Sequence, residues 1–155
     1  MTQNITKICI IGDKCSGKTA FVNASLGGVF VSKYIPSKNT ITTDASFYRN
    51  KKNYHICINE LIDIIDQQYD AIIIVFDLTR QDSFQYAIDQ YREVVKTFAK
   101  PIVIIGTKND MSNIEIENKD VRKYFKISTY FEVSNKYKIN LNGPFEYIMN
   151  KLYEA

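Results

Sequence analysis

The sequence predicts an α/β domain with a mainly parallel sheet that carries helices on both faces. Two apolar runs without polar alternation, at 71–76 and 102–106, indicate strands that are buried on both sides. Segments with helical periodicity separate such runs, and the loops between them are short. Strands that alternate with helices in this way are typical of parallel α/β folds. The length of 155 residues agrees with one domain, which we assign to 1–155.

The first part of the chain adds a strand, a helix and a hairpin. Residues 4–11 form a short apolar run that ends at Gly12, and a helical stretch follows Gly17. The β-rich segment 40–49 meets a polar turn and pairs back onto 54–58. This hairpin introduces the one antiparallel strand of the predicted sheet.

Four further helices and one more strand complete the predicted order. Residues 60–69 place apolar side chains on one side and acidic ones on the other, which favours a short amphipathic helix. Asp82 or Ser83 can cap a long helix, which Pro101 ends. The remaining elements are a helix at 118–126, a strand at 129–134 and a last helix from Pro144.

Charge and composition exclude several classes of protein. The net charge of +3 and isoelectric point near 8.6 are too weakly basic for a dedicated nucleic-acid binder. No apolar run approaches the ~18 residues of a membrane span, and no lipidation motif occurs. Three cysteines without framework spacing predict free thiols in a reducing compartment. We therefore expect a cytoplasmic protein with no direct membrane anchor.

One motif indicates phosphate binding. The segment from Gly12 to Thr19 matches G-x-x-x-x-G-K-[ST], and it lies between a predicted strand and a predicted helix. Its glycines let backbone N–H groups curl around a phosphate, and the helix N-terminus adds partial positive charge. Lys18 can reach the β- and γ-phosphates, and the Thr19 hydroxyl can bind Mg²⁺. The motif predicts a nucleoside di- or triphosphate without naming the base.

Three further segments point to guanine. Thr107-Lys108-Asn109-Asp110 follows the 102–106 strand, and a carboxylate there can accept from both the ring N–H and the exocyclic amine of guanine. Ser134-Asn135-Lys136 follows the strand at 129–134, and the segment from Phe30 to Ser37 follows the first helix. Together with the phosphate loop, these segments resemble the Ras-like small GTPases along nearly the whole chain.

The resemblance implies a P-loop NTPase fold of the small-GTPase type, with a mostly parallel six-stranded sheet. It implies GTP or GDP as ligand, Mg²⁺ as cofactor, and an effector or regulator protein that contacts residues 30–43, the switch I region. The implied phosphate-binding residues are Gly12, Asp13, Lys14, Cys15, Ser16, Gly17, Lys18 and Thr19. The implied guanine-binding residues are Phe30, Thr107, Lys108, Asp110, Ser134, Asn135 and Lys136. The implied metal-binding residues are Thr19 and Ser37.

The family's D-x-x-G motif is not intact. Counting from Ser37 without gaps puts Asn59 at its Asp and Ile62 at its Gly, and the following switch II stretch is about eight residues short. A second alignment reads 63–67 as D-x-x-G-Q with Asp66 in place of Gly. Asp63 or Asp66 could then supply a carboxylate near the metal.

Lys14 is a second departure, because the family keeps Gly or another small residue at this point of the loop. It is either an internal cation beside the phosphates or a solvated surface lysine.

These departures predict very slow or absent hydrolysis by a signalling or trafficking switch, or by a mimic of one. Two alternatives stay open: a slow but genuine GTPase that needs a partner, and a pseudo-GTPase scaffold that no longer binds nucleotide.

Overall fold

The computed structural model describes residues 5–25, 31–34, 41–49, 51–61 and 68–153. The predicted α/β class is confirmed. The strands are β1 (Ile5–Gly12), β2 (Val31–Tyr34), β3 (Ile41–Arg49), β4 (Lys52–Leu61), β5 (Ala71–Asp77), β6 (Ile102–Thr107) and β7 (Tyr130–Glu132). The helices are α1 (Lys18–Ser25), α2 (Gln81–Thr97), α3 (Asn118–Tyr124) and α4 (Asn142–Tyr153), with a 3₁₀ turn at Ile127–Thr129.

The described strands form one sheet in the order β2-β3-β4-β1-β5-β6-β7. β3 is antiparallel to both of its neighbours, and all the other pairs are parallel. The six predicted strands are therefore present, and β3 alone runs against the rest. The seventh, β2, is a short edge strand within the segment that the sequence analysis assigned to partner binding.

Apolar side chains fill both faces of the sheet. Every residue of β5 is buried, as its continuous apolar sequence predicts. Helices α1 and α4 cover one face, where Phe21 stacks on Phe145 with ring centroids 5.7 Å apart. Helices α2 and α3 cover the other face, where Phe84 and Val121 join the core. This packing fixes the carboxyl ends of β1, β5 and β6 at one edge of the sheet, where ligands of α/β folds bind.

The helix predicted at 60–69 does not begin at Glu60, because residues 60 and 61 belong to a strand. β4 continues through Glu60 and Leu61, which pair with Ile10 and Ile11 of β1. Gln68 and Tyr69 are not helical either, and 62–67 lie outside the described residues. Ladder hydrogen bonds to β1 outweigh the amphipathic pattern at the start of this segment, because each added pair extends an already formed sheet.

The predicted cap of α2 is also corrected. The N-cap residue is Arg80, three residues before Ser83. The Ser83 hydroxyl instead accepts from the Asp77 N–H at 2.9 Å and lies 2.9 Å from the Arg80 carbonyl. Ser83 therefore ties the first turn of α2 to the end of β5. None of the helices in the described part of the chain is long and apolar enough to cross a membrane.

Candidate nucleotide-binding site

The phosphate-loop segment forms a tight turn between β1 and α1. At Gly12, a Cβ atom would lie 2.6 Å from Ser16 Oγ and 2.7 Å from the Val75 carbonyl oxygen. At Gly17, φ is +104°, a conformation that side chains disfavour. Both glycines of the motif are thus required by the shape of the loop, and that shape brings the N-terminus of α1 to the loop's opening.

Lys18 folds back over this loop. Its ammonium group donates to the Gly12 carbonyl and, at 3.3 Å, to that of Asp13. Burial lowers the pKa of Lys18 below its usual value, although the charges of Glu60, Asp13 and Cys15 act in the opposite direction. A bound phosphate would add negative charge at this half-buried ammonium group and so favour its charged form.

Two polar side chains tie the loop to the rest of the sheet edge. The Thr107 hydroxyl, fully buried, lies 2.7 Å from the Ser16 carbonyl oxygen and 3.1 Å from that of Phe76. Asn135 Nδ2 donates to the Gly17 carbonyl at 3.5 Å. Thr107 therefore positions the phosphate loop from the end of β6, and its hydroxyl faces the protein interior.

The segments after β6 and β7 meet at a carboxylate. The Ser134 hydroxyl donates to Asp110 Oδ1 at 2.8 Å and accepts from the Tyr137 N–H at 3.1 Å. The Asn109 N–H donates to the Val133 carbonyl at 3.2 Å. These contacts hold the Asp110 carboxylate beside the loop that contains Asn135 and the exposed Lys136. The carboxylate can offer acceptors to a base whose edge carries two adjacent donors.

Lys108 makes an ion pair that the sequence did not indicate. Its backbone has φ +64°, and its ammonium group donates to Asp77 Oδ2 at 2.7 Å. Asp77 is fully buried. Burial raises the pKa of Asp77, but the hydrogen bond and charge of Lys108 and two hydrogen bonds from Thr79 outweigh it, so the pKa lies below 3.8. The Asp77–Lys108 pair thus contributes stability above the unfolded-state pKa and loses it as the pH falls through the folded-state value.

We expect Lys108→Met to destabilise the nucleotide-free protein by about 1–3 kcal/mol at pH 7, because it leaves a buried carboxylate without its cation. The partial exposure of Lys108 keeps the loss below that of a fully buried pair. The difference from the wild type should shrink as the pH falls, because burial without the lysine raises the pKa of Asp77 and the variant is protonated there before the wild type is. Urea unfolding at pH 7 and at a series of lower pH values measures this. The matched control is Lys96→Met, which removes an exposed pair with Glu93; a difference that grew on acidification would contradict the account.

Glu60 is another residue of this site that the sequence did not indicate. The Thr19 hydroxyl donates to Glu60 Oε1 at 2.5 Å, and Glu60 is only 4% exposed. Asn59, which the ungapped alignment puts at the Asp of D-x-x-G, is therefore not the side chain that contacts Thr19. Asn59 lies on the opposite face of β4, where it accepts from the Thr42 hydroxyl and donates to the Tyr69 hydroxyl. The alternation of buried residues at 56, 58 and 60 is the signal that could have identified Glu60.

Several buried oxygen atoms around this edge lack partners. Six buried side-chain oxygens in the described part of the chain have no hydrogen bond, and four of them lie at this site. The four are Ser16 Oγ, Glu60 Oε2, Asn109 Oδ1 and Asn135 Oδ1. Each unsatisfied buried group costs about 1–3 kcal/mol, so such groups are rare unless a ligand, ion or water completes them.

The remaining predicted residues divide into two groups. Lys14 and Cys15 are exposed at the tip of the loop, and Cys15 has φ +61°. The exposure of Lys14 is compatible with both interpretations of this side chain. Phe30, Ser37, Asp63 and Asp66 lie outside the described residues.

The strand order, the phosphate loop after β1 and the polar loops after β6 and β7 define a P-loop protein of the small-GTPase class. Residues 7–154 match the sequence model of the Ras family. The chain therefore belongs to the Ras family. It is a small-GTPase-like, nucleotide-binding protein, and proteins of this family generally bind GTP or GDP with Mg²⁺ and act with effector or regulator proteins.

Proposed function

We propose that this chain binds GTP or GDP together with Mg²⁺ and hydrolyses GTP very slowly or not at all. It then acts as a signalling or trafficking switch, or as a mimic of one. The observation that carries the proposal is the group of partnerless buried oxygens beside an intact phosphate loop. Buried polar atoms without partners are costly, so a ligand, ion or water that completes them would stabilise the protein.

The charged groups at the phosphate end of the site and the hydrogen-bond acceptors at its base end support the binding of a guanine nucleotide. Lys18 and the N-terminus of α1 present positive charge at the loop. Asp110, oriented by Ser134, offers acceptors that match the two donors of guanine. Adenine lacks this pair of donors, and a site built on such hydrogen bonds discriminates strongly against a ligand without them.

The donor set at the metal end fits Mg²⁺. This ion prefers oxygen ligands, and it usually retains several waters while it binds one or two protein groups and the substrate phosphates. Thr19 and Glu60 supply a hydroxyl and a carboxylate, and Glu60 Oε2 has no partner among the described residues. When bound, the ion would neutralise phosphate charge; Thr19 would hold it, and Glu60 would orient Thr19 or a water on it. Ser37, the second metal residue implied by the family, stays a proposal.

Weak hydrolysis follows from what the chain lacks in sequence. Residues 62–70 are all that connect β4 to β5, and the D-x-x-G glycine is replaced in either alignment. A water-orienting Gln and a mobile glycine backbone are the parts that speed attack in this family. As an internal cation, Lys14 would favour bound nucleotide more than its hydrolysis; as a solvated surface lysine, it would not replace the missing groups.

The partner surface that we propose is residues 30–43. Its described part includes β2, which pairs with β3 on one side and forms an edge of the sheet on the other. Edge strands offer backbone groups to a partner segment. Three free cysteines agree with a reducing, cytoplasmic setting.

The proposal is tested by titrating GTP, GDP and ATP with Mg²⁺ and by single-turnover phosphate release. We expect both guanine nucleotides to bind at least 100-fold more tightly than ATP, in keeping with hydrogen-bond discrimination. Phosphate release should be no faster than that of a Lys18→Ala control. Faster release would favour a genuine GTPase, and no binding at millimolar nucleotide would favour the pseudo-GTPase scaffold.

Glu60→Gln distinguishes an effect on Mg²⁺ affinity from an effect on nucleotide affinity. Glutamine keeps an acceptor for the Thr19 hydroxyl but removes the negative charge, so we expect metal affinity to fall about 10–100-fold. The measurement is the rate of fluorescent GDP release as a function of Mg²⁺ concentration, with Glu93→Gln on the surface of α2 as control. If the Mg²⁺ midpoint of Glu60→Gln equals that of the wild type, Glu60 has no part in the metal site.

A further inference from the structure

A guanidinium group joins helix α2 to the phosphate loop. Arg80 Nη2 lies 2.7 Å from Asp13 Oδ2, and its Nη1 donates to the Lys14 carbonyl at 3.0 Å. The same group donates to both carboxylate oxygens of Asp82 at 3.2 Å. Asp82 is largely exposed, so that pair contributes little. Asp13 and Arg80 are each 31% exposed, and their pair is less screened.

The Asp13 carboxylate is an obstacle to an anionic ligand. Asp13 follows Gly12 directly in the loop, and its Oδ1 accepts from the Lys14 N–H at 2.8 Å. A negative charge at this position repels a phosphate unless a cation neutralises it. Arg80 supplies that cation from outside the loop, so that the charge of Lys18 stays available for the ligand.

The contact with Lys14 affects the shape of the loop. A phosphate cradle needs backbone N–H groups that face the ligand, and its carbonyl oxygens need partners elsewhere. Arg80 Nη1 donates a hydrogen bond to the Lys14 carbonyl. The Thr107 hydroxyl, at the end of β6, donates one to the Ser16 carbonyl. Two side chains from different elements thus hold successive parts of the loop in place before any ligand binds.

We infer that Arg80 is a latch that preorganises the phosphate loop and sets the lifetime of bound nucleotide. The inference rests on the proposed function and adds a positioning residue to that site. Arg80 acts on the ligand through Asp13 and the Lys14 carbonyl, and it has no part in bond breaking. Lysine could not replace it fully, because a single ammonium group does not reproduce the fork that spans both contacts.

The test measures release of fluorescent GDP with Mg²⁺ present. The proteins compared are the wild type, Arg80→Ala, Asp13→Ala and the double variant, with Arg80→Lys and a control variant measured beside them. We expect Arg80→Ala to accelerate release about 10-fold or more, because it leaves an unpaired carboxylate beside the phosphates. The double variant should release more slowly than Arg80→Ala alone, since the repelling carboxylate is gone. The rate of GDP release from Arg80→Lys should lie between those of the wild type and Arg80→Ala. This variant keeps the test valid if alanine weakens the fold.

Arg92→Ala is the matched control, because Arg92 lies on α2, the helix that Arg80 caps, and its Cζ is 5.8 Å from the centroid of the Tyr124 ring. Its release rate should equal that of the wild type. Unchanged release from both Arg80 variants, or effects of Asp13→Ala and Arg80→Ala that simply multiply, would overturn the latch. Failure of a wild-type chain to load any guanine nucleotide would instead overturn the proposed function. Loading of the wild type is measured first, so the two failures are distinguished.

Discussion

Lys18→Ala is expected to abolish tight nucleotide binding. The Lys18 ammonium group is half-buried at the phosphate loop, where Gly12 and Asp13 carbonyls orient it. Loss of a buried cation that faces a ligand charge costs about 2–5 kcal/mol, or roughly 30- to 4,000-fold in affinity. The measurement is a GDP titration followed by fluorescence or calorimetry.

A matched control separates this effect from a general loss of charge. Lys119→Ala removes an exposed lysine of α3 that is 3.6 Å from Glu117. Its affinity for GDP should equal that of the wild type. The free energy of unfolding of nucleotide-free Lys18→Ala should differ from that of the wild type by no more than ~1 kcal/mol. The reason is that burial already disfavours the charged form of Lys18 in the free protein. GDP binding by Lys18→Ala at wild-type affinity would exclude the loop as a phosphate site.

Asp110→Asn is expected to have the second large effect, on the choice of base. The amide replaces one acceptor with a donor, so one donor of guanine meets another donor. We expect GTP affinity to fall about 100-fold or more, because a buried polar edge is left unpaired. Xanthine carries a carbonyl in place of the exocyclic amine, and the variant should bind xanthosine triphosphate better than the wild type does.

A gain in affinity for xanthosine triphosphate cannot result from misfolding, so it distinguishes a lost base contact from a general loss of structure. Asp110→Asn keeps an oxygen that can accept from the Ser134 hydroxyl, so the loop contact survives. Asp89→Asn on the exposed face of α2 serves as control and should leave the base preference unchanged. Equal loss of GTP and xanthosine triphosphate would mean that Asp110 supports the loop without contacting the base.

The local parts of the site were predictable from sequence. The loop from Gly12 to Thr19 is one contiguous motif, and its two glycines are fixed by backbone geometry. The buried runs at 71–76 and 102–106 became β5 and β6 with bounds within one residue. Such runs are predictable because burial on both faces leaves few other conformations for them.

The contacts between residues that are far apart in sequence could not be predicted in this way. Glu60 faces Thr19 only because β4 pairs with β1 as far as Leu61, whereas the local pattern favoured a helix. Arg80 and Lys108 contact Asp13 and Asp77, which are far from them in sequence. Contacts of this kind depend on register and crossover geometry, which composition and periodicity do not encode.

The most direct test of the central claim is the nucleotide content of the freshly purified protein. The protein is denatured, the supernatant is separated by ion-exchange chromatography, and GDP and GTP are quantified per chain. We predict near-stoichiometric guanine nucleotide with GTP as the main species, as expected of a chain that binds nucleotide and hydrolyses it very slowly. Near-stoichiometric GDP would contradict slow hydrolysis or point to a preference for the diphosphate. A protein that is empty, and that GTP with Mg²⁺ does not fill, would contradict nucleotide binding itself.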